Sequence, residues 1–182
     1  AGHGLKPQST AALDPGMAEA KDEKGKTIPE WRKNRDYADE LIKLLRLEGA
    51  TVIYTNGDAK NACNEKRKYS CDLFISLHCN ASTDRDKKGF EAYYHNGSTN
   101  GLNLAEDIAR NLNGNVKSDE TTRFHKIGVL TDIGPKPVPS VLLEMGYLTN
   151  STDMANIDSK TDREKKMKVV KDVIVDYFNP KK

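Results

Sequence analysis

Asp72-Leu73-Phe74-Ile75-Ser76-Leu77-His78 is a nearly unbroken apolar run of strand length that ends on a histidine. A run without regular polar alternation belongs to a strand buried in a sheet interior. Val141-Leu142-Leu143-Glu144 repeats the design, an apolar run closed by an ionisable group. Around these two segments the period changes. Ala38, Leu41, Ile42 and Leu45 recur at helical spacing behind Thr27-Ile28-Pro29-Glu30, a helix start with proline just inside the first turn, and Gly49 supplies a stop. Val52-Ile53-Tyr54 reads as a strand ended by Asn56-Gly57, and the polar stretch 58–70 reads as a helix. Phe90, Ala92 and Tyr94 alternate as in a half-buried strand over residues 89–94. Leu102, Ala105, Ile108, Ala109 and Leu112 mark a second amphipathic helix, and Met167, Val170, Val173, Ile174, Tyr177 and Phe178 a C-terminal one. Strands alternating with helices predict an α/β fold: a single domain over residues 1–182, with a mostly parallel or mixed twisted sheet flanked by helices.

Composition agrees with one domain. The chain has 182 residues, 36% apolar and 31% charged, which suits one buried core under a well-solvated surface. A net charge of +2 is too even to predict nucleic-acid binding. No apolar run approaches the roughly 20 residues that span a membrane. The opening, Ala1-Gly2-His3-Gly4, shows no signal peptide and reads like the loop after a first strand, with that strand missing before residue 1. Residues 4–29 show no period and read as a long loop of the kind that is functional or mobile. Cys63, Cys71 and Cys79 are odd in number and have no metal-binding spacing, so buried free thiols are expected.

Ligands in α/β sheets sit beyond the carboxyl ends of the strands. His78 and Glu144 are expected at two such ends, and His3 lies where a strand before it would end. Each has an ordinary alternative. His78 taken alone fits a satisfied core histidine as well as a metal ligand. His3 taken alone, between Gly2 and Gly4, marks a turn. Glu144 either caps a neighbouring loop or serves as a base, and a carboxylate on a buried strand is costly unless paired or metal-bound. Glu30 fits a capping box with Thr27, and Glu19, Glu23 and Glu40 are rival carboxylates. Asn80 is read as holding a turn, His95 and His125 as polar surface histidines, and Lys165, Lys166 and Lys168 as the solvated face of the last helix.

The chain resembles the zinc-dependent N-acetylmuramoyl-L-alanine amidases that cut bacterial peptidoglycan. Four motifs in order carry the resemblance: Ala1-Gly2-His3-Gly4; Glu30 with Asn34, Ala38, Leu41 and Gly49 behind it; Phe74 to Ala81 (FISLHCNA) followed by Gly89 to Tyr94 (GFEAYY); and Val141 to Asn150 (VLLEMGYLTN). The chain departs from the family in the segment before Asp72, which lacks the Arg and Ala-Asn that many members show. The resemblance implies that His3, Glu30 and His78 hold zinc, that Glu144 is the catalytic proton carrier, and that the bond cut joins the muramic acid lactyl group to L-alanine. It implies a peptidoglycan substrate and work outside the cell, in the wall or periplasm, or delivery by a phage from the host cytoplasm. A monomer is expected. Two rivals stand beside this reading: a zinc carboxypeptidase-like hydrolase of stem peptides, and a non-catalytic wall-binding module.

Overall fold

A computed structural model describes residues 4, 5, 13, 14, 25, 29–55, 63, 64, 66, 68–122, 127–131 and 138–180. Its elements are β1 (Gly4–Leu5), β2 (Leu13–Asp14), α1 (Glu30–Leu47), β3 (Phe74–Asn80), β4 (Glu91–Tyr94), α2 (Thr99–Asn111), β5 (Asn115–Ser118), β6 (Ser140–Tyr147), α3 (Ser151–Asp158) and α4 (Lys160–Phe178). The two apolar runs become the two longest strands. They lie side by side in parallel in a four-stranded mixed sheet of order β3-β6-β4-β5, where β4 runs antiparallel to β6 and parallel to β5. The α/β expectation of a mixed sheet with flanking helices therefore holds.

Side chains alternate across a strand, so each face of the sheet has its own chemistry. One face carries Leu77, Cys79, Ala92, Val141, Leu143 and Met145, all buried in one cluster with Tyr37, Ala38 and Leu41 of α1, Leu104 and Ile108 of α2, and Met167, Val170 and Ile174 of α4. The other face carries Ser76 and His78 from β3, Leu142 and Glu144 from β6, Glu91 and Tyr93 from β4, and Lys117 from β5. The fold thus sorts apolar side chains towards the helices and ionisable ones to the opposite side.

Helix α1 shows why a charged residue can lie inside. Its buried stripe is Glu30, Asn34, Tyr37, Ala38 and Leu41, spaced to lie on one side of the helix. Glu30 is therefore carried inward by the same face that builds the core. The helix closes with Ala50 N–H donating to Leu45 O and Gly49 N–H to Arg46 O, a pairing that needs the positive φ of Gly49 (85°).

Several expectations need correction. Residues 51–55 form no strand. In 58–70, Cys63, Asn64, Lys66 and Lys68 are helical, as expected, and the rest of a helix there lies outside the described residues. Short β1 and β2 pair in an antiparallel hairpin within the stretch read as loop. Strand β5 and helix α3 were not foreseen, because neither has a strong apolar period. Pro29 is the N-cap, so Glu30 is the first helical residue rather than the third, and the capping box with Thr27 does not describe this helix. Lys165 and Lys168 are exposed, but Lys166 is partly buried and donates to Met145 O at 3.2 Å.

Strands β3 and β6 lose register near their ends. His78 pairs with Glu144, but Asn80 pairs with Tyr147, so β6 holds one extra residue over this interval. Gly146 lies in that bulge with φ 142°, and a Cβ there would meet Asp153 Oδ2 at 3.1 Å. Plain alternation from Glu144 would turn Tyr147 towards the helices. The bulge instead brings its hydroxyl to the ionisable face, 3.0 Å from Glu91 Oε1.

Candidate active site

Glu30 is 1% exposed, and its Oε1 accepts from Asn34 Nδ2 at 3.0 Å and from the Cys79 backbone N–H at 3.2 Å. The same oxygen lies 3.1 Å from His78 Nδ1. On the other side of the ring, His78 Nε2 lies 3.1 Å from Ser76 Oγ. If Ser76 accepts Nε2–H, the Nδ1 lone pair faces a carboxylate oxygen. Two lone pairs so close repel unless a proton or a cation sits between them. Two ligands bound to one tetrahedral zinc at about 2.0–2.1 Å stand about 3.3 Å apart. A hard carboxylate, an imidazole and an acceptor that fixes the imidazole tautomer are a donor set such an ion accepts. Among the described residues, no group of three His, Cys, Asp or Glu is assembled around a cation position, and His3 lies outside the described residues.

Glu144 adjoins this pair, level with His78 across the parallel β3–β6 ladder. The residue is only partly buried, yet its Oε2 is sealed from solvent and has no hydrogen-bond partner among the described residues. Burial, with the charges of Glu30 and Glu91 behind it, pushes its carboxyl well above the usual range. A carboxyl with one oxygen sealed from solvent and unpaired, beside other titrating groups, is the pattern of a catalytic acid or base.

Glu91 was not singled out in the sequence. It pairs with Glu144 across the antiparallel β4–β6 ladder and is 5% exposed. It accepts from Lys117 Nζ at 2.6 Å, Tyr93 OH at 2.8 Å, Tyr147 OH at 3.0 Å and Asn80 Nδ2 at 3.2 Å. Burial raises its carboxyl, but the donors from Lys117, Tyr93 and Tyr147 outweigh it and leave the group below its ordinary value. In the sequence, the signal was a glutamate set among aromatic residues on an alternating strand.

The remaining expectations divide. His78 and Glu144 lie near the carboxyl ends of their strands rather than at the last residues. Asn80 does hold the chain after the strand, its Oδ1 accepting from Ala81 N–H at 2.8 Å, and also reaches Glu91. His95 is fixed rather than free, with Nδ1 2.7 Å from Asp119 Oδ2. Glu40 pairs with Lys43 at 3.6 Å on α1, away from the site, while Glu19, Glu23 and His125 lie outside the described residues. Cys63 and Cys79 are buried free thiols, and Cys71 is partly exposed. An apolar cavity of about 600 Å³ beside β3 is lined by Leu45, Tyr54, Phe74, Ile75 and Phe178, and contains none of Glu30, His78 and Glu144. The cluster of Glu30, His78 and Glu144 thus lies outside this cavity.

The family model for N-acetylmuramoyl-L-alanine amidase matches residues 1–176. The chain belongs to that family. Among curated proteins it is similar to the probable cell wall amidase LytH of Staphylococcus epidermidis, 28% identical over 176 residues. The match covers 93% of the chain and 58% of that relative. The LytH of Staphylococcus aureus is 29% identical over 175 residues, with the same coverage. The chain thus spans under two thirds of the length of these relatives. Among solved structures it shares its fold with the catalytic domain of the amidase CwlV from Bacillus (Paenibacillus) polymyxa, with TM-score 0.77, 19% identity and coverage of 98% and 95%. The CwlD amidase of Clostridioides difficile, solved with the GerS lipoprotein, gives TM-score 0.78, 21% identity and coverage of 94% and 95%.

Proposed function

We propose that this family member is a zinc-dependent N-acetylmuramoyl-L-alanine amidase, which hydrolyses the amide between the muramic acid lactyl group and L-alanine of peptidoglycan. The observation that carries the reading is the 3.1 Å approach of Glu30 Oε1 to His78 Nδ1, with Glu144, whose buried Oε2 has no partner among the described residues, level with His78. Glu30, His78 and His3 would hold the ion, His3 on the family resemblance. When bound, zinc supplies Lewis acidity, which polarises the scissile carbonyl and makes water acidic enough to attack near neutral pH.

The chain's own residues do the rest. Asn34 and the Cys79 N–H keep Glu30 aimed at His78, and Ser76 Oγ, 3.1 Å from Nε2, would accept its proton when Nδ1 binds the ion. Glu144 takes a proton from the attacking water and returns it to the leaving nitrogen, so that one carboxylic acid and one free amine are released. In the metal-free protein burial holds this carboxyl above its ordinary range, and a bound cation would draw it back towards the ionised form that accepts the proton. No described helix is long and apolar enough to cross a membrane, and a wall polymer as substrate assigns the work to the bacterial cell wall.

The deciding experiment is digestion of purified peptidoglycan, followed by identification of the new amino termini. New L-alanine amino groups support the proposal. Released C-terminal stem residues would instead indicate a peptidase, and wall binding without cleavage would indicate a binding module.

A further inference from the structure

We propose that Glu91 is a positioning residue for Glu144: by holding Lys117, Tyr93 and Tyr147 in its own hydrogen bonds, it denies them to Glu144 and keeps that carboxylate unpaired. The inference rests on the reading of Glu144 as the proton carrier and adds what keeps it available.

The geometry is unusual in its completeness. The four donors to Glu91 come one from each strand of the sheet: Asn80 from β3, Tyr93 from β4, Lys117 from β5 and Tyr147 from β6. Directly across the ladder stands Glu144, whose Oε2 receives no donor. Cross-strand neighbours project to the same face, so the two carboxylates share one set of surroundings. One is saturated, and the other has a sealed oxygen, Oε2, with no donor among the described residues. Lys117 is close enough for its charge to act on Glu144, yet its ammonium lies on Glu91 Oε1.

Buried donors left without an acceptor are costly, as is a buried acceptor without a donor. Removing the Glu91 charge would free the Lys117 ammonium, whose side chain is 38% exposed, while Glu144 Oε2 still lacks a donor, and the lysine would turn to the remaining carboxylate at Glu144. A base in an ion pair no longer accepts the proton of water. Glu91 thus acts through Glu144 and needs no contact with substrate.

The test is a cycle on the zinc-loaded protein. Glu91→Gln is expected to lower kcat on purified peptidoglycan about 100-fold, with KM and zinc content little changed. Its crystal structure is expected to show Lys117 Nζ within hydrogen-bond distance of Glu144. Glu91→Gln/Lys117→Met is expected to recover most of the lost kcat, because the competing cation is gone. Glu91→Asp, which keeps the charge, should retain more activity than Glu91→Gln. Failure of the double variant to exceed Glu91→Gln, with Lys117 still directed away from Glu144, would overturn the proposal. Should Glu91→Gln not fold, Glu91→Asp and Tyr147→Phe decide it. Both keep Lys117 occupied and should keep activity at a lowered melting temperature, whereas a purely structural role makes activity fall with melting temperature. Glu144→Gln separates this from the underlying reading: full activity in that variant removes the base assignment itself, while its inactivity leaves that assignment standing whichever way the cycle ends.

Discussion

Glu30 and His78, 48 residues apart in the chain, meet at 3.1 Å across the join between α1 and β3. Neither residue reaches the other through its own element. Glu30 rides the buried stripe of the helix, and His78 stands on the one sheet face free of the apolar core. The contact exists because the helix packs against the strand that bears the histidine.

Removal of either partner should therefore cost the metal. His78→Ala and Glu30→Ala are expected to lose zinc on dialysis, measured by metal analysis. Ser76→Ala, which removes only the acceptor on Nε2, should weaken zinc about 10–100-fold. Chelation should abolish wall lysis, and added zinc should restore it. Undiminished zinc in both alanine variants would refute the ligand assignment.

Glu144→Gln should separate chemistry from stability. Zinc is expected to stay while turnover falls about 10²–10⁴-fold. In the chelated protein, the folded-state carboxyl lies above its unfolded value of 4.5. Its ionisation therefore opposes folding as pH rises, and its contribution is fullest below the unfolded value. The variant should melt higher than the parent at pH 8, with the gain shrinking towards pH 4. Melting curves at the two pH values check the sign.

Asp119 has the opposite sign. Burial raises its carboxyl, but hydrogen bonds from His95 and from Asn96 N–H hold it below 3.8. Its stabilisation is present above the unfolded value and is lost as pH falls through the folded one. Glu91 behaves alike relative to 4.5. Asp119→Asn should thus destabilise at pH 7 and lose most of that penalty near pH 2, as read by denaturant titration.

Gly146→Ala should destabilise by about 1–3 kcal/mol, since a side chain at φ 142° is strained and its Cβ meets Asp153. Asp153 Oδ2 also accepts from Tyr147 N–H at 2.8 Å, so the variant should loosen the bulge around Tyr147 as well. An unchanged melting temperature would contradict this.

The fold class was legible because Phe74 to His78 and Val141 to Glu144 are apolar enough to declare buried strands, and because α1, α2 and α4 carry helical stripes. Strand β5, with Asn115, Lys117 and Ser118 among its four residues, was not legible, because its place is set by pairing with β4. Residues 51–55 failed in the other direction, β-branched residues without a partner strand among the described residues. At the site, His78 and Glu144 announced themselves as polar ends of apolar runs. Glu30 had a local alternative, the capping box, which the N-cap at Pro29 and the contact with His78 displace. Glu91 stayed hidden because its meaning lies in four donors, three of them from other strands.

The bulge near Gly146 makes β6 a strand whose parity changes along its length. Up to Met145, even-numbered side chains share the side of Glu144; at Tyr147 an odd number takes that side. The conformation of the bulge is consequently constrained at this point as strictly as residue identity is elsewhere. Flattening the bulge without changing the chain length would restore plain alternation, swing the phenol into the helix layer and strip a donor from Glu91, although no ionisable residue had been touched.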